Sequence, residues 1–260
     1  MPVDLYNSSL SAPCALVRML AKHIGVELNV KDLNFAKKEH LTPEYLKINP
    51  FHKVPTINDD GFLLYESTAV CLYLLNKYAP GSDLYPKDLQ KRARVDQVLA
   101  TVTSFVQPRY AEFYRNSVML MKKPTAQQVQ DLEETALKGL EHLVGDGKFA
   151  VGDALTLADL SLVAHLSFTI MLPVFDRKKF SKLVSYYERL SANLPHFAET
   201  KTITEGLVQK CEFCLKRFGG SWVGATGMTS QLDACSHGRL IVSAYSLAKP
   251  GSPAHKRRHE

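Results

Sequence analysis

Between residues 80 and 87 the spacing of the apolar side chains changes, and that change limits the possible folds more than any other feature of the chain. Before it, short runs that read as strands are interleaved with helical repeats. After it, every periodic segment repeats at helical spacing. Such a chain folds as an α/β unit followed by an all-α unit. Its 260 residues, 45% of them hydrophobic, are enough to fill both cores.

In the first unit, residues 3–6 read as a strand and 13–24 as a helix with Leu16, Val17, Leu20 and Ile24 on one side. Residues 28–33 read as a second strand. Two further strands, 54–57 and 62–65, flank Asn58-Asp59-Asp60-Gly61, a hairpin turn because these residue types tolerate positive φ. Glu66-Ser67 then opens a helix over 69–78, which Pro80-Gly81 stops. The order is β-α-β, a connecting segment, then β-β-α. In the second unit, 87–113 reads as one helix bent near Pro108. Thr125 with Gln128 forms a capping box ahead of Val129, Leu132, Ala136, Leu140 and Val144. Thr156 with Asp159 forms another, opening an apolar helix that runs to Ile170, and helices at 181–193 and 203–218 follow. These signals divide the chain into domains 1–82 and 87–218. From Gly219 periodicity is lost among Gly, Ser and Ala, so 219–260 is expected to be a disordered, dispensable tail.

Several function classes drop out. No apolar run reaches transmembrane length, and the first residues carry no signal core, so neither a membrane partner nor secretion is expected. Five cysteines (14, 71, 211, 214 and 235) lack a disulfide framework, which fits a reducing cytoplasm. Half of the net charge of +6 sits in the tail, and no zinc-finger or aromatic-basic motif suggests nucleic acid.

Three stretches have the residue types for chemistry. Ser11-Ala-Pro-Cys14 stands at a helix start, where Ser11 reads either as an N-cap or as a hydroxyl placed to steady an anion such as a thiolate. Val54-Pro55 is a candidate cis bond just before a strand. Glu66-Ser67 places a carboxylate and a hydroxyl at a second helix start. Other signals read as structure. His165 is a core histidine, Asp159 a capping carboxylate, Gly145-Asp146-Gly147 a turn, Lys256-Arg257-Arg258 a solvated end, and Cys211/Cys214 a pair within a helix. No metal site is expected.

On this β-α-β / β-β-α frame, "LSAPC", "EHLTPEYLKINPFHKVPTI", "GFLLYESTAV" and "LTLADLS" resemble the cytosolic glutathione transferases, most nearly an insect delta- or epsilon-like or related unclassified class, over residues 3–218. The resemblance implies a thioredoxin-like domain joined to a helical one, a homodimer, and conjugation of glutathione to small hydrophobic electrophiles. By motif position it implies that Ser11 steadies the glutathione thiolate. His40 and His52 would lie near the glycyl end, Lys53 would also bind glutathione, Val54 would pair with the cysteinyl backbone beside a cis Pro55, and Glu66, Ser67 and Thr68 would meet the γ-glutamyl group. Cys14 would be structural. Spacing alone makes Phe105, Tyr110, Phe113 and Tyr114 core residues, whereas the resemblance sets them, with Phe213, around the electrophile pocket. Two positions depart from the pattern: Thr68 and Ala15 stand where a cation is usual. A non-catalytic carrier of hydrophobic ligands is the alternative reading. A thiol-disulfide oxidoreductase is disfavoured, because Ser11 occupies the place of the nucleophilic cysteine.

Overall fold

Alternating buried and half-buried side chains at Val3–Asn7 form β1, and its inward residues Val3 and Leu5 are almost completely enclosed. Next comes α1, Ala12–His23, then β2, Leu28–Asp32, which pairs parallel with β1 from Val3↔Leu28 to Asn7↔Asp32. β3, Thr56–Asp59, runs antiparallel to β1, and β4, Phe62–Tyr65, antiparallel to β3, giving the strand order β2-β1-β3-β4. Asp60 and Gly61 close the β3–β4 hairpin with φ of 52° and 88°, the pair of positive values that the Asp-Gly signal predicts. Our description rests on a computed structural model and covers residues 1–114, 124–172 and 174–194, together with 197, 198, 200, 202 and 205.

The connecting segment holds an element that the sequence reading left out. It is α2, Pro43–Ile48, capped by Thr42, whose hydroxyl oxygen accepts from the Tyr45 amide. Thr-Pro-Glu is a helix-start signal, obscured by the shortness of the helix that follows. α3, Ser67–Tyr78, completes the sheet-bearing part.

Beyond it, every described element is helical. α4, Leu89–Thr101, widens into a π-helical segment, Val102–Val106, before α5, Gln107–Tyr114. The irregularity thus falls one turn ahead of Pro108. Pro108 has no N–H to give the Ser104 carbonyl, and Thr101, Thr103 and Ser104 turn their hydroxyls onto carbonyls of the preceding turn. α6, Ala126–Leu132, continues through a second π-helical segment, Glu133–Leu137, into α7, Lys138–Val144, which ends at Gly145 with a φ of 55°. α8, Leu157–Thr169, is buried on nearly every side and packs against both α1 and α4. α9, Ser181–Asn193, matches the predicted helix. The Thr125/Gln128 capping box is present. At α8 the Asp159 carboxylate, 0% exposed, accepts from the amides of Ala150 and Thr156, the Thr156 hydroxyl and the Tyr186 hydroxyl. The expected helix at 203–218, the Cys211/Cys214 pair and the tail from 219 lie outside the described residues.

One continuous apolar core runs from β1 through α1 and α3 into α4, α8 and α9. His165 sits in it, its Nδ1 2.8 Å from the Ser161 carbonyl, and burial lowers its pKa so that the ring stays neutral.

Candidate functional site

The strand register decides which loops meet. Tyr6 pairs with Thr56, and Thr56 pairs with Tyr65. The residues after β1, those before β3 and those after β4 therefore emerge at the same end of three adjacent strands, about 5 Å apart per strand step. These are residues 8–11, 53–55 and 66–68, the three stretches that the sequence singled out. β2 ends at this side too, and the chain that follows it carries His40.

At the first stretch, Ser11 is the N-cap of α1, and its Oγ accepts from the Cys14 amide at 3.3 Å. That bond uses a lone pair of the hydroxyl and leaves its proton available, so the capping role and a donor role are compatible. Cys14 is wholly buried. Burial pushes its thiol up to about 11, against the opposing pull of its bonds to Ser11 and Ser8 and of the Arg18 charge, so it remains protonated at neutral pH.

At the second stretch, the Val54–Pro55 bond is cis. The ladder begins at Thr56, so it does not engage the Val54 main chain. The turn is held from behind through the Lys53 carbonyl, which accepts from the Tyr45 hydroxyl at 2.6 Å and from Asn49 Nδ2 at 3.0 Å. Asn49 Nδ2 also reaches Thr56 Oγ1. Burial pushes the Tyr45 phenol up to about 12, so it remains a donor. His52 has a φ of 47°, and Lys53 is exposed. His40 is buried, stacked on Phe35 at 4.4 Å and 6.4 Å from His52 between ring centroids. Burial, then the charges of His52 and Lys38, lowers its pKa, leaving a neutral ring.

The third stretch contrasts with the first. Glu66 precedes α3 with φ 68° and ψ 109°, a conformation that costs a side-chain-bearing residue of order 1–3 kcal/mol. Its side chain makes no capping bond, so the first amides of α3 point outward with the positive end of the helix dipole behind them. Ser67 is buried and Thr68 half-buried beside them.

The aromatic set is divided. Tyr110 and Phe113 are 4% and 6% exposed and belong to the continuous core, as their spacing alone suggested. Phe105 lies on the surface beneath the Arg109 guanidinium, 3.5 Å from the ring centroid. The Tyr114 side chain and Phe213 lie outside the described residues.

The sequence reading missed the groups behind the site. Asn7 accepts from Arg18 Nη1 at 2.6 Å and donates to Asp32 Oδ1 at 2.5 Å, and Tyr45 and Asn49 hold the cis turn. Arg18 had a legible signal, being a lone charge in the middle of an apolar helical stretch.

Residues 1–76 match the family model for the glutathione S-transferase N-terminal domain, and residues 105–205 that for the C-terminal domain. Among solved structures, the chain is similar to a delta-class glutathione transferase of Nilaparvata lugens, with 34% identity over 82% of this chain and 99% of that one and a TM-score of 0.74. It is also similar to an epsilon-class glutathione S-transferase from the housefly, Musca domestica, with 32% identity over 81% and 97% of the two chains and a TM-score of 0.71. A third is a glutathione transferase homolog from Drosophila mojavensis with bound glutathione, with 30% identity over 82% and 97% and a TM-score of 0.74.

Proposed function

The chain belongs to the glutathione S-transferase family, and from that membership we propose that the end of its sheet formed by residues 8–11, 53–55 and 66–68 binds glutathione for transfer to a hydrophobic electrophile. The observation that carries the proposal is the shared strand register, which brings the Ser11 hydroxyl, the cis turn and the uncapped start of α3 to one edge. A non-catalytic carrier role is not favoured, because the solved structures the chain resembles are glutathione transferases.

Ser11 holds the thiolate. A free thiol has a pKa near ~8.5, and a hydroxyl bond to the ionised form, worth about 1.5–3 kcal/mol, lowers it by roughly one to two units. The start of α1 adds a smaller favourable dipole effect. Val54 pairs through its main chain with the cysteinyl residue and so points the sulfur at Ser11. The γ-glutamyl carboxylate takes the open amides of α3 with Ser67 and Thr68, and Glu66 takes the ammonium. With no cation at position 68, the helix start supplies part of the positive potential. His52 and Lys53 meet the glycyl carboxylate, with His40 neutral behind them. The thiolate attacks an electrophilic carbon, the S–C bond forms as the leaving group departs or the π bond opens, and no metal takes part.

We place the glutathione-binding domain at 1–82 and the electrophile-binding and dimerisation domain at 87–218, with Phe105, Tyr114 and Phe213 as the remaining pocket candidates and Tyr110 and Phe113 packed in the core behind them. The two described cysteines, Cys14 and Cys71, are free thiols, which supports a cytoplasmic setting. The test is conjugation of glutathione to a chromogenic aromatic electrophile by wild type and Ser11→Ala. Saturable turnover that falls about tenfold in the variant at neutral pH supports the proposal. Ligand binding without turnover in the wild type contradicts it.

A further inference from the structure

We propose that Asn7, Arg18 and Asp32 form a brace that fixes the Ser11 hydroxyl, making Asn7 and Arg18 positioning residues of the transfer reaction. The inference rests on the role of Ser11 given above. Arg18 lies seven residues beyond Ser11 on the same helix, about 10 Å along its axis. Its Nη1 donates back to Asn7 Oδ1 at 2.6 Å, and Asn7 is the last residue of β1. The turn between, 8–10, is tied to Ser11 by the bond from the Ser11 amide to the Ser8 carbonyl. α1 therefore grips both ends of the Ser11 turn, one through the chain and one through Arg18.

Asp32 extends the brace to β2. Its Oδ1 accepts from Asn7 Nδ2 at 2.5 Å, and the next amide, Leu33, donates to the Asn7 carbonyl at 3.0 Å. The Asn7 amide is thus held in one orientation, with its oxygen on a cation and its nitrogen on an anion. Asn7 is 2% exposed and Arg18 9%, so the chain of bonds is shielded from water where it turns into the helix. Position 18 sits in a run from Pro13 to Ala21 that is buried throughout and otherwise apolar or small, and an apolar side chain there would serve stability as well or better. The Arg18 charge also reaches the start of the helix, where it opposes the effect of burial on the Cys14 thiol.

The test uses the full chain with Arg18→Met, Asn7→Ala, Asp32→Ala and Asp32→Asn, reading kcat, KM for glutathione and the pH midpoint of the rate. Arg18→Met and Asn7→Ala should lower kcat about tenfold with the midpoint displaced upward, and Asp32→Ala should lower kcat about threefold, with KM within about twofold in all three. Asp32→Asn keeps an acceptor for Asn7 and should recover most of the rate lost in Asp32→Ala. Asp32 is exposed, so its two variants decide the matter even if the buried ones fail to fold. On a Ser11→Ala background, Asp32→Ala should cost nothing further. Variants that melt earlier but keep the wild-type kcat and midpoint would make the brace a scaffold only and overturn the proposal. So would a rise in KM at unchanged kcat. If Ser11→Ala itself keeps the full rate, the reading of Ser11 has failed; if Ser11→Ala is slow and the brace variants are not, only the brace has.

Discussion

The two ends of α3 treat a carboxylate in opposite ways. At its C-terminal end, Tyr73, Lys77 and Tyr78 all donate to Asp59 on β3, at 2.7–2.9 Å, and the carboxylate is 6% exposed. At its N-terminal end, Glu66 is exposed, makes no capping bond and has a positive φ. The first carboxylate is saturated with donors and holds α3 on the sheet. The second is left open and strained, at the end where Ser11 and the cis turn also emerge. Strain and open hydrogen-bonding groups fall together at one end, and full satisfaction at the other. This is the pattern expected where local stability has been given up for ligand binding.

The comparison can be tested first at a second donor-saturated carboxylate, that of Asp159. Asp159→Ala strips the acceptor from two amides and from the Thr156 and Tyr186 hydroxyls, and at about 1–3 kcal/mol for each stranded buried group the loss of stability should reach ~3 kcal/mol or more. Glutathione affinity of the folded fraction should not change. Native melting behaviour would remove Asp159 from the structural class.

A smaller effect of opposite kind is expected at the open end. Thr68→Arg places a guanidinium at the mouth of α3 and should tighten glutathione binding by about 1.5–3 kcal/mol, roughly tenfold or more by titration calorimetry. Unchanged affinity would mean that the helix amides already satisfy the carboxylate fully.

Asp59→Asn should cost about 1–2 kcal/mol at neutral pH without altering affinity. Burial raises the Asp59 pKa, but the bonds from Lys77, Tyr73 and Tyr78 together outweigh it and hold the carboxyl below its usual value. A depressed folded-state pKa gives stability that is fully present above the unfolded value, near ~4, and is lost as pH falls through the folded value. The gap between wild type and variant in acid-unfolding curves should therefore start to narrow near pH ~4 and close only once the pH has passed below the folded value. A gap that persists there would mean that the charge of Asp59 is not what stabilises the clamp.

The smallest effect has the most telling sign. Glu66→Gly removes a side chain from a conformation that glycine adopts freely, and should raise stability by about 0.5–1 kcal/mol while weakening glutathione binding. A loss of stability would show that Glu66 supports the fold.

Much of this was legible in the sequence, for reasons that differ from place to place. The hairpin could be read because Asp60-Gly61 favours positive φ at both positions, and α8 because Thr156 and Asp159 mark its start ahead of a largely apolar stretch. Ser11, Val54-Pro55 and Glu66-Ser67 could be read as a set because each has a local backbone signature. Their convergence could not, since it depends on the Tyr6–Thr56–Tyr65 register, a relation between distant residues. The same holds for the brace. Asn7, Arg18 and Asp32 follow no motif, and only the parallel pairing of β1 with β2 brings Asp32 beside Asn7. An irregularity near Pro108 could be read because proline has no amide for the Ser104 carbonyl, but its extent as a π-helical segment over Val102–Val106 could not.

The central claim is that Ser11 does two things with one oxygen, capping α1 through a lone pair and holding a thiolate through its proton. The most direct measurement is the ultraviolet thiolate absorbance of the glutathione complex as a function of pH, for wild type and for Ser11→Ala, each saturated with glutathione. The account predicts a bound thiol near pKa ~7 in the wild type and a value about one to two units higher in the variant. Equal pKa values in the two proteins, with glutathione bound in both, would contradict it and leave Ser11 as a cap alone.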